Sequence, residues 1–162
     1  MAHILIADDD ELIAEILTDA FAAAGHPSHV VASAEAAWES VHMWRPDIVV
    51  LDQDMPGMPG LAFLAKLRAS PLFYDLPVVM LTAMRADCER GVDEDSAMEA
   101  GAQDFIRKPF VPEALVTRIE AALQRGVAPV SVAAVYEEIA CPEDILESAS
   151  YWQRYLPATR RA

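Results

Sequence analysis

A chain of 162 residues with 54% apolar and 23% charged side chains can bury one full core, so wholesale disorder is excluded. Twelve basic against twenty-six acidic residues give a net charge of −14, which repels a phosphate backbone and argues against a nucleic-acid partner. No apolar run, Pro77–Met84 included, approaches the ~20 residues of a membrane span, and the start lacks a signal peptide's basic region and cleavage site, so no membrane partner and a cytoplasmic location are expected.

Short apolar runs alternate with helical periods along the chain. His3–Asp8 reads as a buried strand, followed by a helix over Glu11–Ala24 with Leu12, Ile13, Ile16, Leu17, Ala20 and Phe21 on one face. Gly25 stops that helix. Val30–Ala32 is a weaker second strand, and Ser33 caps a helix that runs to Arg45 and carries Trp38, Val41 and Trp44. Ile48–Asp52 is a third strand, apolar without alternation, as expected when helices cover both faces. The turn Met55–Gly60 leads into a helix over Leu61–Ala69. Val78–Thr82 and Asp104–Arg107 are the fourth and fifth strands. The acidic connection between them holds Asp87, Glu89, Asp93, Glu94, Asp95 and Glu99, and Ser96–Ala100 is its helical part. Cys88 lies there too; with Cys141 it makes too few cysteines for a disulfide framework or a zinc site. Glu113–Gln124 forms the last helix of the domain, ending at Gly126.

Five strands alternating with five helices predict a doubly wound α/β fold with a five-stranded parallel sheet. Such sheets carry their chemistry at the carboxyl ends of the strands. Here those ends are Asp8-Asp9, Asp52, Thr82 and Lys108. Carboxylates crowded at neutral pH repel one another unless a positive charge sits among them, and oxygen-only donors suit Mg²⁺. Lys108 supplies a point charge for a phosphate oxygen or for Asp52, and Thr82 a hydroxyl donor. Together they form an electrostatic clamp suited to phosphoryl transfer onto a carboxylate. Each residue also has an ordinary role, Asp8–Asp10 as helix caps above all, but four strand ends supplying complementary chemistry by accident is the weaker account.

The segments that carry these residues are Ile4–Asp10, Asp47–Gly60, Val78–Ala83 and Gly101–Phe110. In that order the chain resembles the receiver domain of two-component response regulators, the family that includes the chemotaxis regulator CheY. The resemblance covers residues 1–125 and implies a flavodoxin-like fold. It implies Asp52 as phosphoacceptor, taking a phosphoryl group from the phosphohistidine of a sensor histidine kinase or phosphotransfer protein. Mg²⁺ would be held by Asp9 directly, Asp8 mainly through water, Asp52, and the backbone carbonyl of Asp54. Lys108, Thr82 and Ala83 would bind the phosphoryl group, with a cis bond before Pro109. Thr82 would swing inward and Phe105 would rotate into the space it leaves, shifting a two-state equilibrium. On this reading the chain is a signalling protein that catalyses its own phosphorylation and dephosphorylation rather than an enzyme with turnover. Asp54, two residues past the acceptor, should alter the phosphoryl lifetime. Phe105 lacks the hydroxyl of the family's commoner tyrosine, and the acidic connection is longer than the family usually shows.

Two other functions compete. Asp52-Gln53-Asp54 is similar to the Asp-x-Asp of haloacid-dehalogenase-type phosphohydrolases, but those place the first aspartate near the chain start and carry further acidic motifs downstream. An unphosphorylated receiver-fold scaffold would not need the intact acid pair, threonine and lysine. Residues 126–162 are expected to be a helical extension and not a DNA reader, being short and acidic. Val132, Val135, Tyr136 and Ile139 make one apolar stripe, and Ile145, Leu146, Ala149, Trp152 and Leu156 another. The extension is expected to pack on its own receiver, or on a second copy to give a homodimer.

Overall fold

The structure, a computed structural model, describes residues 1–83 and 94–125. The extension beyond Arg125, both cysteines, and Asp87, Glu89 and Asp93 lie outside the described residues. The elements are β1 (Ile4–Ala7), α1 (Glu11–Ala23), β2 (Ser28–Val31), α2 (Ala34–Met43), β3 (Ile48–Asp52), α3 (Gly60–Ala69), β4 (Val78–Ala83), α4 (Glu94–Glu99), β5 (Asp104–Lys108) and α5 (Pro112–Arg125). The strands form one parallel sheet in the order β2-β1-β3-β4-β5. This is the doubly wound sheet that the alternation of elements predicts, in the flavodoxin-like form that the resemblance implies. No helix among the described residues is long and apolar enough to cross a membrane.

The sheet divides the interior in two because successive side chains of a strand point to opposite faces. Leu5, Ala7, Val49, Leu51, Val78, Met80 and Phe105 belong to one core, with Phe63, Leu64 and Leu67 of α3 and Ala97 of α4. Ile4, Ile6, Ile48, Val50, Val79, Leu81 and Ile106 belong to the other, with Leu17 and Phe21 of α1 and Leu115 and Ile119 of α5. Both faces of the inner strands β1, β3 and β4 are therefore dry, which is why their sequences do not alternate.

On α1 the buried stripe is Ala14, Leu17 and Phe21. Leu12 is 64% exposed and Ile16 36%, so these two leave the expected apolar face. They sit four residues apart on a neighbouring ridge of the helix, turned away from the sheet while the stripe through Leu17 faces it. Gly25 follows the helix with φ +80°, a left-handed turn suited to glycine.

Polar ties hold the edge of the sheet opposite the strand ends. His26 accepts the Ala2 amide on Nδ1 at 3.1 Å, and its Nε2 lies 3.1 Å from Glu120 Oε1 on α5. With Nδ1 accepting, the proton sits on Nε2 and is donated to the carboxylate. Arg68, only 4% exposed, donates to the carbonyls of Gly101 and Leu76. One guanidinium thereby fastens α3 to the loops that precede β4 and β5.

Candidate phosphoacceptor site

Residues at the carboxyl ends of β1, β3 and β5 meet above the sheet. After β1 the Asp8 amide still donates to Val31 O at 3.1 Å, so the backbone stays in register and the Asp8 side chain turns inward. Its Oδ1 accepts the Asp10 amide at 2.9 Å. Asp10 accepts from the Leu12 and Ile13 amides and caps α1. Capping and clustering thus coexist on adjacent aspartates, with Asp9 exposed between them.

Asp52 ends β3 and is 2% exposed. Its Oδ2 accepts the Asp54 amide at 3.0 Å. Lys108 Nζ lies 2.7 Å from Asp8 Oδ2 and 2.8 Å from Asp52 Oδ1. The contact with Asp52 Oδ1 is a close charge contact without the alignment of a hydrogen bond, whereas the contact with Asp8 is hydrogen-bonded. Asp8, Asp9 and Asp52 each offer a carboxylate oxygen within 4.8 Å of the others.

Burial raises the Asp52 pKa above its ordinary value; Lys108 and the Asp54 amide oppose the rise, and Asp8 adds to it. For Lys108, burial alone would lower the pKa, but the close ionic contact with Asp52, the hydrogen bond to Asp8 and the negative charge of both override it and the pKa is raised. One ammonium among crowded carboxylates leaves the cluster anionic. A second positive charge with oxygen-seeking chemistry fits there, and the all-carboxylate donor set suits Mg²⁺ better than a nitrogen- or sulfur-seeking ion.

The remaining residues singled out in the sequence lie near by but are not all joined to this cluster. Thr82 is 8% exposed, and its hydroxyl donates to Ala83 O at 3.4 Å, a long bond. Phe105 is 3% exposed and already packed in the core beside α3 and α4 rather than standing outside it. The Lys108–Pro109 peptide bond is cis. Asp54 is exposed.

Sequence reasoning missed Gln53. Its side-chain Oε1 accepts the Leu61 amide at 2.8 Å and its carbonyl accepts the Gly60 amide at 3.0 Å. A signal was present: Pro59 stands at the N-cap of α3 and makes no side-chain cap hydrogen bond, so another group has to serve. Asp8 as the hydrogen-bonded partner of Lys108 was also not foreseen.

Residues 4–120 match the response regulator receiver domain family. The DNA-binding response regulator MtrA of Mycolicibacterium paratuberculosis is 41% identical over 124 residues, which are 76% of this chain and 52% of that protein. The phosphate regulon transcriptional regulatory protein PhoB of Pseudomonas aeruginosa is 34% identical over 124 residues, 75% of this chain and 52% of that protein. Among solved structures, the receiver domain of the Francisella response regulator 1452 superposes with a TM-score of 0.68 at 26% identity, covering 77% of this chain and 98% of that one. The chain belongs to the response regulator receiver family, whose members are signalling proteins of two-component systems. It spans about half the length of the curated relatives it matches.

Proposed function

We propose that Asp52 accepts a phosphoryl group from the phosphohistidine of a sensor histidine kinase or phosphotransfer protein. A carboxylate oxygen of Asp52 bonds to phosphorus as the phosphorus–nitrogen bond to the donor imidazole breaks. The observation that carries this reading is Lys108 Nζ, 2.7 Å from Asp8 and 2.8 Å from Asp52 with Asp9 alongside. Lys108 is placed to follow the incoming charge from Asp52 to a phosphoryl oxygen. Asp8, Asp9, Asp52 and the Asp54 carbonyl would hold Mg²⁺, which when bound offsets negative charge on the transferring group. The Thr82 hydroxyl gives up its long bond to Ala83 O for a phosphoryl oxygen, and Ala83 offers its amide beside it. Burial of Phe105 makes its ring the part of the core that must readjust when Thr82 moves.

Incubation with acetyl phosphate and Mg²⁺ should add a single acid-labile phosphoryl group that is absent in Asp52→Asn. Label persisting in that variant would refute the assignment. Turnover of a small phosphate ester, instead of stoichiometric labelling, would favour the haloacid-dehalogenase-type reading.

We further infer a cytoplasmic protein that acts through protein contacts, because a net charge of −14 opposes a phosphate backbone. A nucleic-acid partner is the second reading, and it is favoured by the relatives, a DNA-binding response regulator and a transcriptional regulatory protein. Electrophoretic mobility of duplex DNA with the phosphorylated chain separates the two: a retarded band would overturn the protein-only reading. The extension at residues 126–162 remains a proposed helical appendage.

A further inference from the structure

The loop between β3 and α3 is closed by a single residue. Gln53 donates its amide to Leu81 O on β4 at 2.9 Å. Its carbonyl accepts the Gly60 amide at 3.0 Å, and its side-chain Oε1 accepts the Leu61 amide at 2.8 Å. The first turn of α3 is therefore capped from across the loop. The fit is tight: a Cβ at Gly60 would come within 2.4 Å of Asp52 O. Inside the closed loop, the Asp54 amide holds Asp52 Oδ2 at 3.0 Å. Asp54 is thus the first residue of a loop pinned at both ends, at Gln53 and at Gly60–Leu61, and its amide is tied back to the strand end at Asp52.

We propose that Gln53 is a positioning residue for the divalent-cation site, its side-chain oxygen setting the loop that presents the Asp54 carbonyl. The proposal rests on the reading of Asp8, Asp9, Asp52 and the Asp54 carbonyl as cation ligands. An all-backbone ligand has no rotamer with which to compensate for a shifted loop, so its position is only as good as the closure. Magnesium magnifies this, because it tolerates little departure from octahedral geometry. Methionine at this position keeps the length of glutamine but accepts no strong hydrogen bond, whereas glutamate keeps the acceptor and suits the positive end of α3.

The test is a Mg²⁺ titration of the full chain, without phosphodonor, followed by amide NMR on wild type, Gln53→Met and Gln53→Glu. Gln53→Met should raise the half-saturating Mg²⁺ concentration about fivefold, the equivalent of one net hydrogen bond. It should also speed exchange of the Leu61 amide, while Gln53→Glu keeps both near wild type. Saturating Mg²⁺ should restore the extent of Asp52 labelling in Gln53→Met, since the residue acts on the site and not on phosphorus. A purely structural role would lower the unfolding midpoint and leave Mg²⁺ affinity of the folded chain unchanged; that outcome overturns the proposal. So does equal weakening in Gln53→Glu. If wild type itself binds no Mg²⁺, the functional reading falls and this proposal with it. Normal wild-type binding with an indifferent Gln53→Met refutes the role of Gln53 alone.

Discussion

Lys108 stands 100 residues from Asp8 along the chain and 2.7 Å from it in space. The same ammonium lies 2.8 Å from Asp52, and the two carboxylate side chains are 1% and 3% exposed. Two buried negative charges share one positive charge. The site therefore carries an electrostatic deficit before any ligand arrives, and the first consequences to measure are those for stability.

Asp52 has a raised pKa, with burial as its leading cause. A carboxyl whose folded pKa exceeds its unfolded one stabilises the fold fully below the unfolded value of 3.8, and that contribution is lost as pH rises through the folded pKa. At pH 7, above the unfolded value, the buried carboxyl is thus a burden. Asp52→Asn should unfold at higher urea concentration than wild type at pH 7 without divalent cation, and the gap should narrow on acidification. Adding Mg²⁺ should raise the wild-type midpoint and leave that of the variant in place. A variant less stable than wild type at pH 7 would contradict this sign.

Removing the shared cation works the other way. Lys108→Ala leaves Asp8 and Asp52 facing each other, and breaking such a buried pair on one side should cost about 2–4 kcal/mol at pH 7, the partial exposure of the lysine tempering it. Mg²⁺ should recover part of the loss in urea titrations. Because the Lys108 pKa is raised, its stabilisation in wild type is complete below 10.5 and disappears as pH rises through the folded pKa. The variant should show no such alkaline loss from this residue.

Arg68 tests the opposite edge of the sheet. Its guanidinium serves Gly101 O at 3.1 and 2.6 Å and Leu76 O at 2.8 Å, all buried. Arg68→Met strands these carbonyls and should cost roughly 2–4 kcal/mol in thermal or chemical denaturation. Arg68→Lys should rescue little, because a point ammonium cannot span the donors of a planar fork. Mg²⁺ affinity should be nearly unchanged in both.

Lys66 gives a spectroscopic prediction. Its Nζ lies 3.9 Å from the centre of the Trp38 ring, and burial lowers its pKa to about 8 against the opposing charge of Glu35. Tryptophan emission should titrate with a midpoint near pH 8, and Lys66→Met should abolish that transition. Between about 8 and 10.5 the unfolded chain holds the proton that the folded chain has released, so stability from this residue rises with pH. A midpoint that persists in Lys66→Met would assign the transition elsewhere.

What could be read in the sequence follows from what is local. Strand ends were legible because an apolar run that stops at Asp52, or at Arg107-Lys108, marks both the end of burial and the start of the polar edge. Asp8, Asp9, Asp52 and Lys108 could be gathered because a parallel sheet brings its carboxyl ends to one side, a matter of topology and not of side-chain detail. Leu12 and Ile16 could not be assigned correctly, since hydrophobicity alone does not say which of two adjacent ridges faces the sheet. Nothing local to α3 marks Arg68 as buried; only the carbonyls of Gly101 and Leu76, supplied by other loops, make its burial tolerable. Gln53 was hidden for the same reason, as its partner Leu61 becomes a neighbour only when the loop closes.

β5 has one further property. It is a rim strand, bonded to β4 and to no other described strand. Phe105 and Ile106 are consecutive on it and belong to opposite cores. A displacement of Lys108 along this strand has to shear just one ladder, yet it disturbs the packing above and below the sheet at once. The strand behaves as a lever whose handle is an ammonium group, and its two arms end in separate hydrophobic compartments.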